Sequence, residues 1–486
     1  MSILIHQPTI EAKAAVVPIP SAVRIPITET SIPFNAAKRQ MWPLHLEGYG
    51  YTEEEYFVSG EAKVYAWGEK AGDAMRVKVE NTPYTYRILV RKPASARDFS
   101  GTALVEVFNY ANLMDNPGAG WGAANEYMMA RGDAWVGISI RDSIFRALRK
   151  FDSARYAPLS MANPIPADRR NEPAMAYGIP ADPECENGLS YDVISQVGAL
   201  IRSDQEGGPF FGYDVNCLLG TGATAGDMST YAGLVHNYAK QPSGKPVYDG
   251  FSIFMTGAPA NLNNEEQNIL APDPRGIIYP IVPTMRVLTM GDMLGKGYHP
   301  DWSVYQRRPD SDGPESPYRI YEIAGSCIGY RADKPVYPCK EDAEKVGARW
   351  MDPFPKMPEY AFPTQYFIRS ALDNLKQWAK NGVIPPKAER LEMQGEYPDT
   401  DFVLDEHGNA KGGIRNPYVD VPVAAYCWDG TIAPFDLEKL KALYPTQASY
   451  ISKVAKCCTK LCRERWLLPE DAMEIIASAE HFSANW

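Results

Sequence analysis

The chain predicts an α/β fold: a mostly parallel central sheet with helices on both faces and a β extension at its N-terminal side. Three observations carry this reading. Residues 103–108 and 134–140 are near-continuous apolar runs, as parallel strands buried on both faces require. Segments with helical apolar spacing separate such runs, as crossover connections between parallel strands demand. Finally, the run ending Leu218-Leu219 passes through Gly220-Thr221-Gly222-Ala223-Thr224-Ala225-Gly226 into a helix-like stretch at 228–235. That is the pattern of a sharp strand-to-helix elbow.

Taken in order, residues 1–50 are rich in Pro, Ile and Val with little periodicity, and read as an extended arm over the surface. Residues 56–65 and 84–93 alternate apolar with polar side chains, which predicts half-exposed antiparallel strands. A helix is expected over 121–131 and another over 191–201, with strands at 216–220, 250–255, 286–290 and 318–325. Residues 258–283 hold five prolines and an Asn-rich start, and read as a cap segment. Residues 332–365 read as a Pro-rich excursion over the sheet edge or the pocket. Helices are expected at 437–443, 451–466 and 470–478, with Pro469 suited to a first helical turn. The organisation expected is an arm and β extension over 1–95, continuous with a core over 96–486. There is no internal repeat.

A length of 486 residues with 45% apolar side chains suffices for one large core or two of ordinary size. A net charge of −11 and the lack of a long basic run argue against a nucleic-acid partner. No run of 18 apolar residues suggests a membrane span, and the N-terminal residues do not resemble a secretion signal, so a cytoplasmic protein is expected. Eight scattered cysteines without paired CxxC spacing read as reduced thiols, with no metal and no cofactor. The expected partner is a small-molecule substrate, with a homodimer left open.

Several blocks together resemble the α/β-hydrolase-domain family, whose members are mostly of undefined activity. They include Tyr51-Thr52-Glu53-Glu54-Glu55-Tyr56-Phe57, Tyr86-Arg87-Ile88-Leu89-Val90-Arg91-Lys92-Pro93, Asp152-Ser153-Ala154-Arg155-Tyr156 and Tyr191-Asp192-Val193-Ile194-Ser195-Gln196. Tyr318-Arg319-Ile320-Tyr321-Glu322-Ile323-Ala324-Gly325 and Leu467-Leu468-Pro469-Glu470-Asp471-Ala472 extend the likeness over roughly residues 45–480. The resemblance implies a serine on the elbow, an acid after a late strand and a histidine after the last strand. In relatives the elbow is similar to Gly-Glu-Ser-Gln-Ser, which places Gly222 where the serine belongs. The acid position holds Asp292, and the histidine slot after Ala324-Gly325 holds Ile328.

Two of three triad members are thus absent. Glycine has no side chain with which to attack a carbonyl, and isoleucine cannot accept a proton. Only six histidines exist in the chain; His236 reads as structural, and His299, in a loop downstream of Asp292, is the one within reach of a pocket mouth. The elbow backbone can outlive its serine: the N–H of Ala223 and those of Asn109-Tyr110-Ala111-Asn112 are expected to polarise a carbonyl or hold an oxyanion. Asp292 becomes the candidate base. Asp227 is a second carboxylate near the mouth, with helix N-terminal charge as its alternative role. Thr221, Thr224, Trp121, Cys327 and Tyr330 complete the expected substrate-binding set. The expectation is a non-hydrolytic enzyme, of cyclase, isomerase or lyase type, acting on a small apolar metabolite in secondary metabolism. A hydrolase with a relocated nucleophile or activated water, and a silent binding protein, are the alternatives.

Overall fold

The computed structural model describes residues 10–70, 73–172, 175–176, 179–223, 225–254, 260–266, 279–294, 307–327, 334–350, 357, 360–396 and 399–482. Ten strands form one sheet: β1 (Ile10–Glu11), β2 (Ser21–Arg24), β3 (Tyr51–Ala66), β4 (Arg76–Pro93), β5 (Thr102–Val107), β6 (Ala134–Ile138), β7 (Cys217–Gly222), β8 (Gly250–Phe254), β9 (Thr284–Thr289) and β10 (Tyr318–Ile323). Their spatial order is β10-β9-β8-β7-β5-β6-β4-β3-β2, with β1 beside β4. The six strands from β10 to β6 in this order are mutually parallel, and β4, β3 and β2 continue antiparallel.

Each parallel strand is buried along its whole length, which explains the unbroken apolar runs of β5 and β6. Helices cover both faces. Gly250 in β8 lies so close to α7 (Thr364–Asn381) that a Cβ there would sit 3.0 Å from Leu375 Cδ1. On the opposite face Tyr248 donates its hydroxyl to the carbonyl of Ile194 in α3 (Leu189–Ile201), at 2.9 Å. α1 (Trp121–Ala130) packs beside α7, and α4 (Ala225–Gly233) lies against β7 and β8.

The strand expected over 84–93 is present, but it is not half-exposed: Arg87 to Pro93 are buried on both faces. Its charged residues turn inward. Arg87 Nε donates to Glu55 Oε1 at 2.6 Å and Nη1 to Asp115 Oδ2 at 3.1 Å, while Nη2 reaches the carbonyl of Phe34 at 2.7 Å. Arg155 Nε donates to Glu55 Oε2 at 2.7 Å, and Tyr156 gives its hydroxyl hydrogen to Glu55 Oε1 at 2.8 Å. Arg91 binds Glu53 and the carbonyl of Asn35, with its guanidinium over the rings of Trp121 and Trp135. Charge at alternate positions signals solvent only when no counter-charge covers it, and here Glu53 and Glu55 of β3 and Asp115 supply it, with the arm adding carbonyl acceptors.

The other α-helices among the described residues are α2 (Asp142–Phe151), α5 (Met290–Leu294), α6 (Lys340–Val346), α8 (Pro417–Asp420), α9 (Leu437–Leu443), α10 (Gln447–Arg463) and α11 (Pro469–His481). α6 falls within the stretch expected to be irregular. α7 buries Phe367, Ile368, Ala371, Leu372 and Leu375, and ends on Gly382 in the left-handed conformation (φ 69°). No helix among the described residues is long and apolar enough to cross a membrane. Of the expected cap over 258–283, residues 258–259 and 267–278 lie outside the described residues.

Candidate active site

Where neighbouring parallel strands send their connections in opposite directions, a crevice opens at their carboxyl ends. β5 and β7 are such a pair: the chain leaves β5 toward β6, and leaves β7 toward β8. The loop after β5 and the elbow after β7 therefore flank one crevice.

At the elbow, Gly222 is the last residue of β7, paired with Val107 and Ile253, and α4 begins at Ala225. The place of its missing side chain is taken. A Cβ on Gly222 would lie 2.5 Å from Met228 Cγ and 3.5 Å from Val107 Cβ. Met228, in the second turn of α4, is 1% exposed. Ala223 is buried, and Gly118 approaches it so closely that a Cβ there would be 2.7 Å from Ala223 Cβ. The strand ends at Gly222 and the helix begins at Ala225, so the elbow lies beyond Gly222 rather than at it. Gly222-Ala223-Thr224-Ala225-Gly226 thus reads as a Gly-x-Thr-x-Gly pentad centred on Thr224, a signal that alignment on Gly220 passes over. Thr224 lies outside the described residues.

Asp292 stands in the first turn of α5, directly after β9. Its Oδ2 accepts from the Thr289 backbone N–H at 2.9 Å and from Thr289 Oγ1 at 2.8 Å, while Asp292 N–H donates to Thr289 Oγ1 at 3.1 Å. This is a reciprocal cap, which fixes the carboxylate's orientation. The loop after β10 comes alongside: Met290 N–H donates to the Ser326 carbonyl at 3.1 Å. Burial, with Asp292 and Asp429 nearby, pushes the Cys327 thiol up, so it is a poor nucleophile. Ser326 spends its hydroxyl on the Ile323 carbonyl at 2.7 Å. Ile328 and Tyr330 lie outside the described residues.

A buried polar cluster joins four segments on the other side of the elbow. Tyr110 donates its hydroxyl to Asp227 Oδ2 at 2.9 Å, and Arg141 forms a close ion pair with Asp227 Oδ1. The Arg141 guanidinium lies over the Tyr110 ring, 5.0 Å from its centre. Tyr191 reaches the Asn261 carbonyl at 2.9 Å and Asp227 Oδ1 at 3.5 Å. Burial opposes the charge on Arg141, but Asp227 and the two tyrosines outweigh it and hold its pKa well above the ordinary value.

The sequence profile of the alpha/beta hydrolase domain family matches residues 16–477, nearly the whole chain. The chain belongs to the α/β-hydrolase domain family. No curated protein matches it in sequence. Among solved structures it is similar to a protein described as a dienelactone hydrolase from Klebsiella pneumoniae subsp. pneumoniae (11% identity, TM-score 0.27, 60% of this chain and 95% of that one). It is also similar to the esterase Est22 (10%, 0.28, 56% and 71%) and to a glucuronoyl esterase from Solibacter usitatus (9%, 0.29, 71% and 89%). Likenesses this distant carry no argument about activity.

Within this hydrolase-domain framework, no imidazole among the described residues hydrogen-bonds a hydroxyl or thiol. His236 is buried, accepts the Tyr248 N–H on Nε2 at 3.0 Å, and is driven down to about 3 by burial. His299 lies outside the described residues. Other expected site residues are placed elsewhere or are already engaged. Trp121 is fully buried against Trp135, and Thr221 donates to the Ser252 carbonyl at 2.9 Å within the sheet. In the loop after β5, Asn109 N–H bonds Asn116, and Ala111 N–H bonds the Asn109 side chain at 2.9 Å. Those two donors serve the loop itself.

Sequence reasoning missed Glu106 in β5, which is completely buried. Its Oε1 accepts Gly118 and Gly120 N–H, both at 2.9 Å, and its Oε2 accepts Trp121 N–H and Trp135 Nε1, both at 2.8 Å. Burial pushes the carboxyl up, yet all four partners are donors, so the ionised form is the one this geometry accommodates. A lone glutamate in an apolar strand was the available signal.

Proposed function

We propose that this α/β-hydrolase-domain protein is an enzyme that works without an acyl-enzyme at position 222. Its reaction is a proton-transfer isomerisation, cyclisation or elimination on a small, largely apolar molecule. The observation that carries the reading is the contact between Met228 and the vacant face of Gly222, which replaces a nucleophile with packed hydrocarbon at the elbow. A carboxylate in a dry cleft can act as a base directly. Asp292, held by Thr289, takes a proton from the substrate and returns it at another atom, so an isomerisation balances without a co-reactant. Tyr110, whose hydroxyl hydrogen is held by Asp227, is a positioning group on the opposite wall. The experiment is treatment with a fluorophosphonate probe, together with p-nitrophenyl butyrate hydrolysis and mass spectrometry of small molecules retained through purification. No covalent adduct, ester turnover at the uncatalysed rate and a retained apolar metabolite are expected. A stoichiometric adduct would overturn the reading.

The pentad centred on Thr224 favours one second reading, a hydrolase whose nucleophile has moved two residues along the elbow. It predicts that the adduct maps to Thr224 and is lost in Thr224→Ala.

A further inference from the structure

The sheet ends on β2, and no strand among the described residues pairs with its outer side. β2 runs antiparallel to β3 with Ser21 opposite Ser59 and Val23 opposite Phe57, and the Ile25 N–H donates to the Glu55 carbonyl at 2.8 Å. Residues 21, 23 and 25 therefore spend their backbone groups on β3, while the N–H and carbonyl groups of Ala22 and Arg24 face outward. No described group bonds to those outward groups. Proline marks both ends of this window: Pro20 and Pro26 fall on the same outward side and have no N–H to offer. The Pro26 carbonyl is already taken by Arg155 Nη1, at 2.7 Å.

The edge is also apolar. Val16, Ile19, Val23 and Ile27 are 56%, 50%, 63% and 41% exposed. Together they show on the order of 300 Å² of hydrocarbon, the size at which a patch marks an interaction site. Between residues 14 and 28 the single charged side chain is Arg24, and it is paired with Glu54 at 3.2 Å. An edge this open invites a further strand.

The order of residues selects which strand. Ile19-Pro20-Ser21-Ala22-Val23-Arg24-Ile25-Pro26-Ile27 has the pattern Ile-Pro-x-x-Val-x-x-Pro-Ile, which reads the same in both directions about Val23. Two antiparallel copies related by a two-fold axis at Val23 place Ile19 opposite Ile27, Pro20 opposite Pro26 and Val23 opposite itself. Ala22 then faces Arg24 of the second copy, so every outward N–H between the prolines finds a carbonyl. An unrelated strand could satisfy those hydrogen bonds; only a second copy also matches the order of prolines and aliphatics.

We propose that β2 is a self-pairing edge: a second copy of this chain adds to it across a two-fold axis at Val23 and joins two sheets into one. A standard interface takes about 800 Å² from each partner. The aliphatic patch supplies under half of that, so the dimer depends on concentration.

The test is sedimentation velocity of the full chain from low to high micromolar concentration, with hydrogen exchange read at both ends of the range. The mass is expected to double, with the Ala22 and Arg24 amides protected only at the high end. Val23→Lys sets like charges face to face on the axis and should weaken association by more than about tenfold. Its melting temperature at low concentration should match the parent's, because the side chain is exposed in the single chain. Val23→Cys treated with diamide should give a dimer whose linking peptide joins position 23 to position 23, with the parent chain as the control for the native cysteines. A single-chain mass throughout, association of Val23→Lys as tight as the parent's, or a link from position 23 only to some other site would overturn the proposal. So would protection of Ala22 and Arg24 that is independent of concentration, which would put another segment of the same chain on this edge.

Discussion

Met228 Cγ stands 2.5 Å from where a Cβ on Gly222 would be, so the elbow position aligned with a nucleophile is filled from the helix that follows it. A serine there needs Met228 to move within a packed core. Gly222→Ser should therefore cost about 1–3 kcal/mol in urea unfolding. It should hydrolyse p-nitrophenyl esters no faster than the parent, since no imidazole among the described residues is placed to activate the new hydroxyl. Adding Met228→Ala should relieve the strain without creating an esterase. Ester turnover by either variant would contradict this.

The cap that Asp292 forms with Thr289 separates its structural from its chemical role. Asp292→Asn keeps an acceptor oxygen for Thr289, so its stability should stay within about 1 kcal/mol of the parent, whereas Asp292→Ala loses the cap and about 1 kcal/mol. Turnover of the retained metabolite should vanish in both. An unchanged rate in the Asn variant would remove Asp292 from the chemistry.

Asp227 and Arg141 form a buried pair, and breaking one side leaves a charge uncompensated. Asp227→Leu alone should cost about 3–5 kcal/mol, while Asp227→Leu with Arg141→Met should recover much of that loss. Additive losses in chemical denaturation would show that the two residues do not act as a pair.

Glu186 carries a pH signature. It is buried, its Oε1 accepts from Gly188 and Asn264 N–H at 2.8 and 3.0 Å, and burial pushes its carboxyl up to about 7 from 4.5. A raised carboxyl binds its proton more tightly folded than unfolded. Its contribution is therefore present below pH 4.5 and is lost as the pH climbs toward 7. Asp115 and Asp471, pushed up to about 6 and about 7, act in the same direction, so the Glu186 contribution must be taken by difference. Glu186→Gln should match the parent near pH 4.5 and exceed it in stability at pH 8. Parallel stability curves across that range would refute the assignment.

The sheet was legible because parallel strands buried on both faces are written as apolar runs, and both β5 and β6 have that form. α7 was equally written, with residues 367, 368, 371, 372 and 375 on one face, yet the sequence analysis leaves it unassigned. The burial of Arg87 and Arg91 was not local information, since their counter-charges and carbonyl partners come from residues 34–55 and 115. The candidate site divides in the same way. Gly222 and Asp292 were singled out by the resemblance to relatives, and the structure places them directly after the β7 and β9 runs that the sequence made legible. The Tyr110, Arg141, Tyr191 and Asp227 cluster draws on four segments with no shared periodicity. That Met228 fills the vacancy depends on the angle between β7 and α4, which no spacing encodes.

The carbonyls of Phe34 and Asn35 each receive a guanidinium from β4, and Glu53 and Glu55 neutralise those same arginines. Shortening the chain from its N-terminal side past residue 56 would strip Arg87 and Arg91 of those partners in the driest part of the sheet. Such a clipped protein would be insoluble or unfolded rather than a smaller working version. Expression trials that seek a minimal core of this fold must start upstream of Phe34.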